Sequence, residues 1–442
     1  MQSFGYVRIV VVASLAGMLF GFDTAVIAGV THSLVSEFAL TPGGLGWAVS
    51  SALWGTLLGA LAIGSPADRF GSRDLLRWVG FLYMVSAIGC AIAWNLPTFL
   101  VFRFLAGVAI GSSSVLAPVY ISEISPAERR GALVGLFQIN IVVGILLAYC
   151  SNFLVAGVVD AAIAWRVKLA VAVLPAATFF VLLFTIPNSP RWLALKGRVD
   201  EARRSLERLG SSDPSDAIGR YSAPVAGLAE ARLSWRLHRR PILLAVSLAA
   251  FNQLSGINAI LYYLGDIFAA AGFSAWSADL QSVAIGATNL AATLVGLSLI
   301  DRIGRRTLLL IGSVGTAVAL VGVALIMATA AARGWLLPLL VLFIASFAVS
   351  QGAVIWVYLS EIFPTAVRAR GQGLGSAAHW ILNAMISAAF PVIAAHSKAT
   401  PFAFFAIAMV VQFIVVLTCF PETRGVALER MEDVMRSRPR SA

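Results

Sequence analysis

Two ionisable side chains of opposite sign stand inside apolar runs. Asp23 lies in FGFDTAVIAG (residues 20–29) and Arg103 in FRFLAGVAIG (residues 102–111). A charge surrounded by hydrocarbon is costly and is normally kept for an ion pathway or a proton relay. A helix rising from about residue 7 and an antiparallel one descending from about residue 97 put both charges roughly 10 Å below the same end, at 1.5 Å per residue. An acid and a base at matched depth are expected to pair.

A second set of polar side chains carries no charge. Gln138, Asn252, Gln253, Asn258, Asn289, His379 and Asn383 interrupt apolar runs, with Trp356 and Trp380 beside them. Singly, each is ordinary hydrogen-bonding glue between helices, and His379 reads as such a residue before it reads as a proton site. Together they offer paired donors and acceptors plus flat aromatic faces, the chemistry that holds an uncharged, polyhydroxylated ligand. No cluster of acids or bases stands ready for a charged substrate. No nucleophile with a base, metal-ligand cluster or phosphate loop is present, so neither an enzyme nor an ATP-driven pump is expected, and no cofactor or metal. GVAIGSSS and GQGLGS follow no strand and read as close helix packing.

The elements that must position these residues follow from composition. The chain has 442 residues, 59% hydrophobic and 12% charged, with a mean hydropathy of +0.88. A soluble domain carries about twice that charge. Apolar runs of about 20 residues recur along the chain, each long enough to span a bilayer. The spans are expected at 7–30, 46–66, 75–95, 98–120, 131–155, 166–186, 241–270, 280–300, 306–330, 336–361, 371–395 and 401–420. Cys90, Cys150 and Cys419 fall in three different spans, against a disulfide framework. The N-terminus reads as the first span and not as a cleaved signal.

The net charge of +11 raises nucleic acid as a partner, but its distribution excludes it. Of 32 Lys and Arg, only Arg166, Lys168, Arg333 and Lys398 fall in outer loops and Arg103 in a span; the others line the inner segments. That bias sets orientation, with both termini cytoplasmic. Residues 187–240 form a polar linker. Within it VDEARRSLERLG predicts a short helix, with Asp200 as N-cap, Ala202, Leu206 and Leu209 on one face and Gly210 at its end.

The halves repeat. DRFGSR at Asp68 recurs as DRIGRR at Asp301, SEISPAERRG at Glu123 as SEIFPTAVRARG at Glu361, and PNSPRW at Pro187 as PETRG at Pro421, at offsets of 233, 238 and 234. Duplicated six-helix units are a hallmark of transporters that alternate access to a central site. The same offset carries Asp23 onto Asn258, so one half handles a proton and the other a neutral polar solute. The repeated short loops hold Asp68, Arg69 and Arg73 in one half and Asp301, Arg302, Arg305 and Arg306 in the other. With Glu123, Arg130, Glu361 and Arg368 they are expected to form a cytoplasmic ion-pair latch. Partly exposed pairs of this kind contribute little stability and break readily.

These motifs together resemble the sugar porters of the major facilitator superfamily, closest in pattern to bacterial proton-coupled xylose and hexose symporters. The resemblance runs from Phe20 to PETRG at Pro421. It implies an all-α membrane protein of twelve helices in two pseudo-symmetric six-helix bundles (1–186 and 241–420), a cytoplasmic helical linker (187–240) and a cytoplasmic tail (421–442). It places the family's coupling acid on Asp23, its arginine partner on Arg103 and its fifth-helix glutamine on Gln138. Asn252, Gln253, Gly256 and Asn258 match the helix-7 motif, with Tyr262 a turn on. Asn289, Gly352, Trp356 and Trp380 match further sugar positions, and Phe20 an aromatic wall. Five residues depart from the pattern: Asn252 and His379 stand where glutamines are usual, Ala353 for proline, Ser72 for arginine and Asn188 for glutamate. The implied function is proton-coupled import of a monosaccharide, by a chain working as a monomer in a bacterial inner membrane. A proton-independent facilitator, an inositol or polyol symporter and a sugar receptor are the alternatives.

Overall fold

The computed structural model describes residues 3–125, 130–211, 213–222, 233–364 and 367–425. Among these the secondary structure is helical, with no strand. Among the described residues, twelve helices are long and apolar enough to cross a membrane. The first six are α1 (Tyr6–Gly29), α2 (Pro42–Ala62), α3 (Ser72–Ala91), α4 (Leu96–Ile124), α5 (Leu133–Val158) and α6 (Ala161–Leu182). The second six are α7 (Trp235–Tyr262), α8 (Ala275–Ile303), α9 (Arg305–Thr329), α10 (Arg333–Glu361), α11 (Arg370–His396) and α12 (Thr400–Cys419). The chain forms two compact units. One is Met1–Val30 with Ser51–Ala226, and the other is Thr31–Ser50 with Gly227–Ala442.

In the first unit, side-chain size fixes how closely helices approach. A Cβ at Gly21 would lie 1.8 Å from the Ile141 carbonyl oxygen, and one at Gly144 would lie 2.1 Å from that of Met18. α1 and α5 therefore cross backbone to backbone, which gains dispersion contact where lipid supplies no hydrophobic drive. The core beneath this crossing is built from Val10, Leu76, Leu116, Tyr120 and Phe179. At the start of α4, the Asn95 side chain accepts from the Thr98 N–H at 2.9 Å, a conventional N-cap. That cap and the α1 packing carry Arg103 to the level of Asp23. All three cysteines are free.

The segment after α6 contains short helices at Pro190–Leu195, Val199–Arg208 and Pro214–Ser222. They share a small core of Leu193, Ala202, Leu206 and Ile218. The expected N-cap is corrected here. Arg198 holds that position and Asp200 lies in the first turn. There its charge still complements the helix N-terminus without capping it.

In the second unit, α7 is not the single rod expected at 241–270. It stops at Leu254, resumes at Ile257–Tyr262 and again at Leu264–Ala270. Gly256 causes the first break: its φ of +80° is left-handed, which glycine adopts without a Cβ penalty. The expected span 166–186 also divides, into Ala161–Ala170 and Val173–Leu182. In α10, residues Ala348–Gly352 form a π-helical turn just before Ala353, a widening often found at functional positions.

Candidate functional site

The opposed charges of the first unit meet. Arg103 Nη1 donates to both carboxylate oxygens of Asp23, at 2.8 and 3.0 Å. The arginine is 3% exposed and the aspartate 16%. One nitrogen serves both oxygens, so the pair lacks the two-nitrogen fork that gives arginine–carboxylate contacts their greatest strength. Arg103 Nε has no partner among the described residues. A guanidinium keeps its charge at any physiological pH, so only the carboxylate of this pair can gain or lose a proton. Phe20 and Gln138 are half-buried on α1 and α5 of the same unit.

The uncharged cluster gathers around the break in α7. Asn258, just past Gly256, turns back to donate from Nδ2 to Gln253 Oε1 at 3.0 Å. Gln253 Nε2 donates to Asn252 Oδ1 at 2.9 Å and lies 3.2 Å from both ring nitrogens of His379. Asn252, Gln253 and His379 are all buried. His379 is flanked by Trp356, 5.3 Å between ring centroids, and by Trp380, edge-on at 5.1 Å. Trp356 remains 39% exposed, leaving an indole surface open beside the amides. A turn farther along α11, Asn383 Nδ2 donates to Tyr262 Oη at 3.4 Å and Asn383 Oδ1 accepts from Ser387 at 3.2 Å. Asn289 is buried in α8, and Gly352 closes the π turn of α10.

The ionic residues between α8 and α9 are tightly organised. Arg305 donates through Nη2 to Glu361 at 2.8 Å, pairs through Nη1 with Asp301 at 2.8 Å and caps the Ile300 carbonyl at 3.1 Å. The other oxygen of Glu361 accepts from Thr423 Oγ1 at 2.6 Å. Glu422 accepts from the backbone N–H groups of Arg305, Arg306, Thr423 and Arg424, at 2.9 to 3.0 Å. A carboxylate on the open N–H groups that begin α9 also faces the positive end of the helix dipole. Sequence reasoning assigned no role to Glu422 or Thr423. The recurrence of PNSPR as PETRG at the offset of the ionic loops was the signal available.

The corresponding residues of the first unit are arranged differently. Arg73 pairs with its neighbour Asp74 at 2.8 Å, as does Arg77 at 3.0 Å. Asp68 is exposed and contributes its backbone carbonyl, which accepts from Trp192 Nε1. Arg69 lies over the Phe70 ring. Glu123 takes a hydrogen bond from Ser189, and the Arg130 side chain lies outside the described residues. In the second unit, Arg306 turns its guanidinium to the Leu417 carbonyl at 2.6 Å, and Arg368 Nε reaches the Phe363 carbonyl at 3.4 Å. Arg302 is exposed, and its carbonyl accepts from Arg424. The physical reason is local. Ser72 and Asn188 supply neither the arginine nor the glutamate that Arg305 and Glu422 supply in the other half, so Arg73 takes the adjacent carboxylate. Arg305→Ala is expected to cost about 3 kcal/mol, the low end for stranding one member of a buried pair, because Glu361 keeps some solvent. Thermal unfolding in detergent against Ser72→Ala checks this; equal melting temperatures for the two variants would contradict it.

Twelve spanning helices, a sequence repeat that pairs their halves, a charge pair in one unit and an amide–aromatic cluster in the other define a secondary transporter of the major facilitator fold. The chain belongs to the sugar transporter family, matching the family described as "Sugar (and other) transporter" over residues 9–435. It is 33% identical to the D-xylose-proton symporter of Escherichia coli, over 96% of this chain and 94% of that one. It is 33% identical to the glucose transporter GlcP of Staphylococcus epidermidis over 97% of each chain. The inward open structure of the xylose transporter XylE from E. coli superposes with a TM-score of 0.86 at 32% identity, covering 96% of this chain and 99% of that one. The protein is thus a sugar transporter, not an enzyme.

Proposed function

We propose that this transporter is a proton-coupled symporter that imports a monosaccharide, a pentose or hexose, by alternating access. The Asp23–Arg103 pair carries this reading: it is a partly buried carboxylate whose charge only a proton can remove, held against a buried cation that cannot titrate. The identity to a D-xylose-proton symporter supports it. Protonation of Asp23 from outside neutralises a buried charge and makes closure around bound sugar less costly. After release inward, Asp23 gives up its proton, its carboxylate again accepts from Arg103, and the cycle restarts. Sugar hydroxyls exchange hydrogen bonds with Gln253, Asn252 and Asn258 against the Trp356 face. The uneven distribution of Lys and Arg supports cytoplasmic termini in a bacterial inner membrane, and we assign the monomer as the working unit.

The testing experiment is the pH of a weakly buffered suspension of de-energised cells expressing the protein, pulsed in turn with pentoses, hexoses and inositol. Alkalinisation with one sugar establishes symport and names the substrate. Saturable labelled uptake with no pH change would make the protein a facilitator. Gln253→Ala removes a buried carboxamide engaged on both sides. At about 1–3 kcal/mol for partners left unsatisfied, it should weaken sugar binding by about 5- to 150-fold. Equilibrium binding measures this, and unchanged affinity would move the site away from α7.

A further inference from the structure

Asp266 stands apart from the groups used so far. It lies past the end of the α7 span at Tyr262, in the first turn of the helix Leu264–Ala270. Against that helix packs Thr31–Glu37, the short helix that follows α1 and belongs to the second unit. The Thr31 hydroxyl is buried and donates to the Asp266 carboxyl. Asp266 keeps some exposure as a residue, yet its Oδ2 is sealed from solvent and has no partner among the described residues. An ionised carboxylate has room for about four hydrogen bonds. A sealed oxygen without a donor suits the neutral acid and penalises the charged one. Burial accordingly pushes the Asp266 carboxyl up to about 6, against the opposite pull of the Thr31 hydroxyl and of His32. On the elements packed around it, Glu37 is exposed at the far end of its helix and Asp279 is buried on α8. Tyr262 accepts from Asn383, and Tyr263 donates to the Ser387 carbonyl. Lys398 reaches the Ala270 carbonyl at 3.3 Å, and Arg333 the Ala330 carbonyl at 3.2 Å. His32, exposed and next to Thr31, is the cation that acts on Asp266.

We propose that Asp266 is a second proton-binding site, and that its proton fastens the Thr31–Glu37 helix to the continuation of α7. Its place on the outer side rests on the orientation proposed above; the clasp itself does not. With the proton on, acid and hydroxyl face each other as two neutral groups, each able to donate and to accept. With the proton off, a charge is shut in against one hydroxyl, and release of the helix lets water reach it. Once released, Asp266 returns to the ordinary value of about 4. The fastened form holds its proton up to about 6, so between those values fastening takes a proton up. The clasp is firmest in acid and weakens as the pH rises through about 6. Thr31 follows Asp23 by eight residues. Acid outside thus loads the coupling acid and tightens the chain that leaves its helix.

Amide hydrogen exchange of the full-length protein in detergent tests this, read by mass spectrometry on peptides covering residues 31–37. Each rate is divided by its intrinsic chemical rate at that pH, so that the ratio reports opening of the helix. Wild type is expected to open about tenfold more at pH 7 than at pH 5, as an acid that moves from about 6 to about 4 on opening requires. Asp266→Asn stays neutral and still accepts from Thr31, so its protection should be the same at both pH values. Thr31→Val removes the donor that favours the ionised form, so its transition should fall at higher pH than in wild type. A pH ratio as large in Asp266→Asn as in wild type would overturn the inference, and so would a wild-type ratio near one. Should Asp266→Asn fail to fold, a Thr31→Val transition that stays at the wild-type pH overturns it instead. No sugar enters the measurement, so the outcome is independent of the symport assignment.

Discussion

Asp23→Asn is expected to abolish uphill accumulation of sugar while exchange of labelled for unlabelled sugar persists. Asparagine is close to the shape of the carboxylic acid and can still accept one hydrogen bond from Arg103 Nη1, which now reaches Asp23 at 2.8 Å. What it cannot do is bind and release a proton. Downhill movement needs only that the occupied and empty carriers interconvert, so counterflow survives. Accumulation needs two forms of residue 23 with different charge, so the internal concentration should stop at the external one. The variant leaves Arg103 buried and without an anionic partner. The cost of a lone buried charge, about 3–5 kcal/mol, should appear as a lower melting temperature. Vesicles with an imposed pH gradient give the measurement. Sugar still concentrated against its gradient by Asp23→Asn would refute Asp23 as the coupling acid.

Gly256→Ala is expected to be as damaging, from a residue with no polar side chain. A left-handed alanine costs about 1–2 kcal/mol, and its Cβ would lie 2.2 Å from the Phe405 ring. That ring has little room to retreat. It stacks on Phe390 with planes 6° apart, and Phe390 stacks in turn on Tyr263, whose hydroxyl donates to the Ser387 carbonyl at 2.9 Å. The break would shift to accommodate the methyl group, and with it the reach of Asn258 back to Gln253. Sugar affinity should fall more than tenfold and the melting temperature should drop. Gly256→Ala with Phe405→Ala removes the clash but keeps the backbone strain, so partial recovery is expected. Wild-type affinity in the single variant would show that the turn does not position the amides.

How much of this was legible in the sequence depends on the range of the interaction. Apolar runs of about 20 residues specify spanning helices through composition alone, and those elements are present. Asp23 and Arg103 were matched through helix rise, a one-dimensional quantity. The break at Gly256 was not anticipated, because glycine is common in membrane helices and a positive φ leaves no hydrophobic pattern. Asp200 lies two residues past the N-cap position it was assigned, since Asp favours both the cap and the first turn. The bonds Gln253 makes to His379 join residues 126 apart in sequence, and only the packing of α7 on α11 fixes them. Glu422 was hidden for another reason: its partners are backbone N–H groups, which no residue pattern advertises.

Arg305, Glu361 and Thr423 belong to the start of α9, the end of α10 and the chain beyond α12, and they share one set of bonds. Glu361 follows Trp356 by five residues on the same rigid helix. A tilt of α10 that moves the indole face must drag this knot along, and three segments then turn about a common pivot. The first unit, with Ser72 and Asn188 at the matching places, ties the corresponding segments through other bonds: Glu123 takes a hydrogen bond from Ser189, and Tyr120 Oη donates to the Pro187 carbonyl at 2.7 Å. The duplicated halves thus share a sequence pattern but not its wiring: one fastens its helix ends with a carboxylate on arginine, the other with neutral donors on backbone carbonyls.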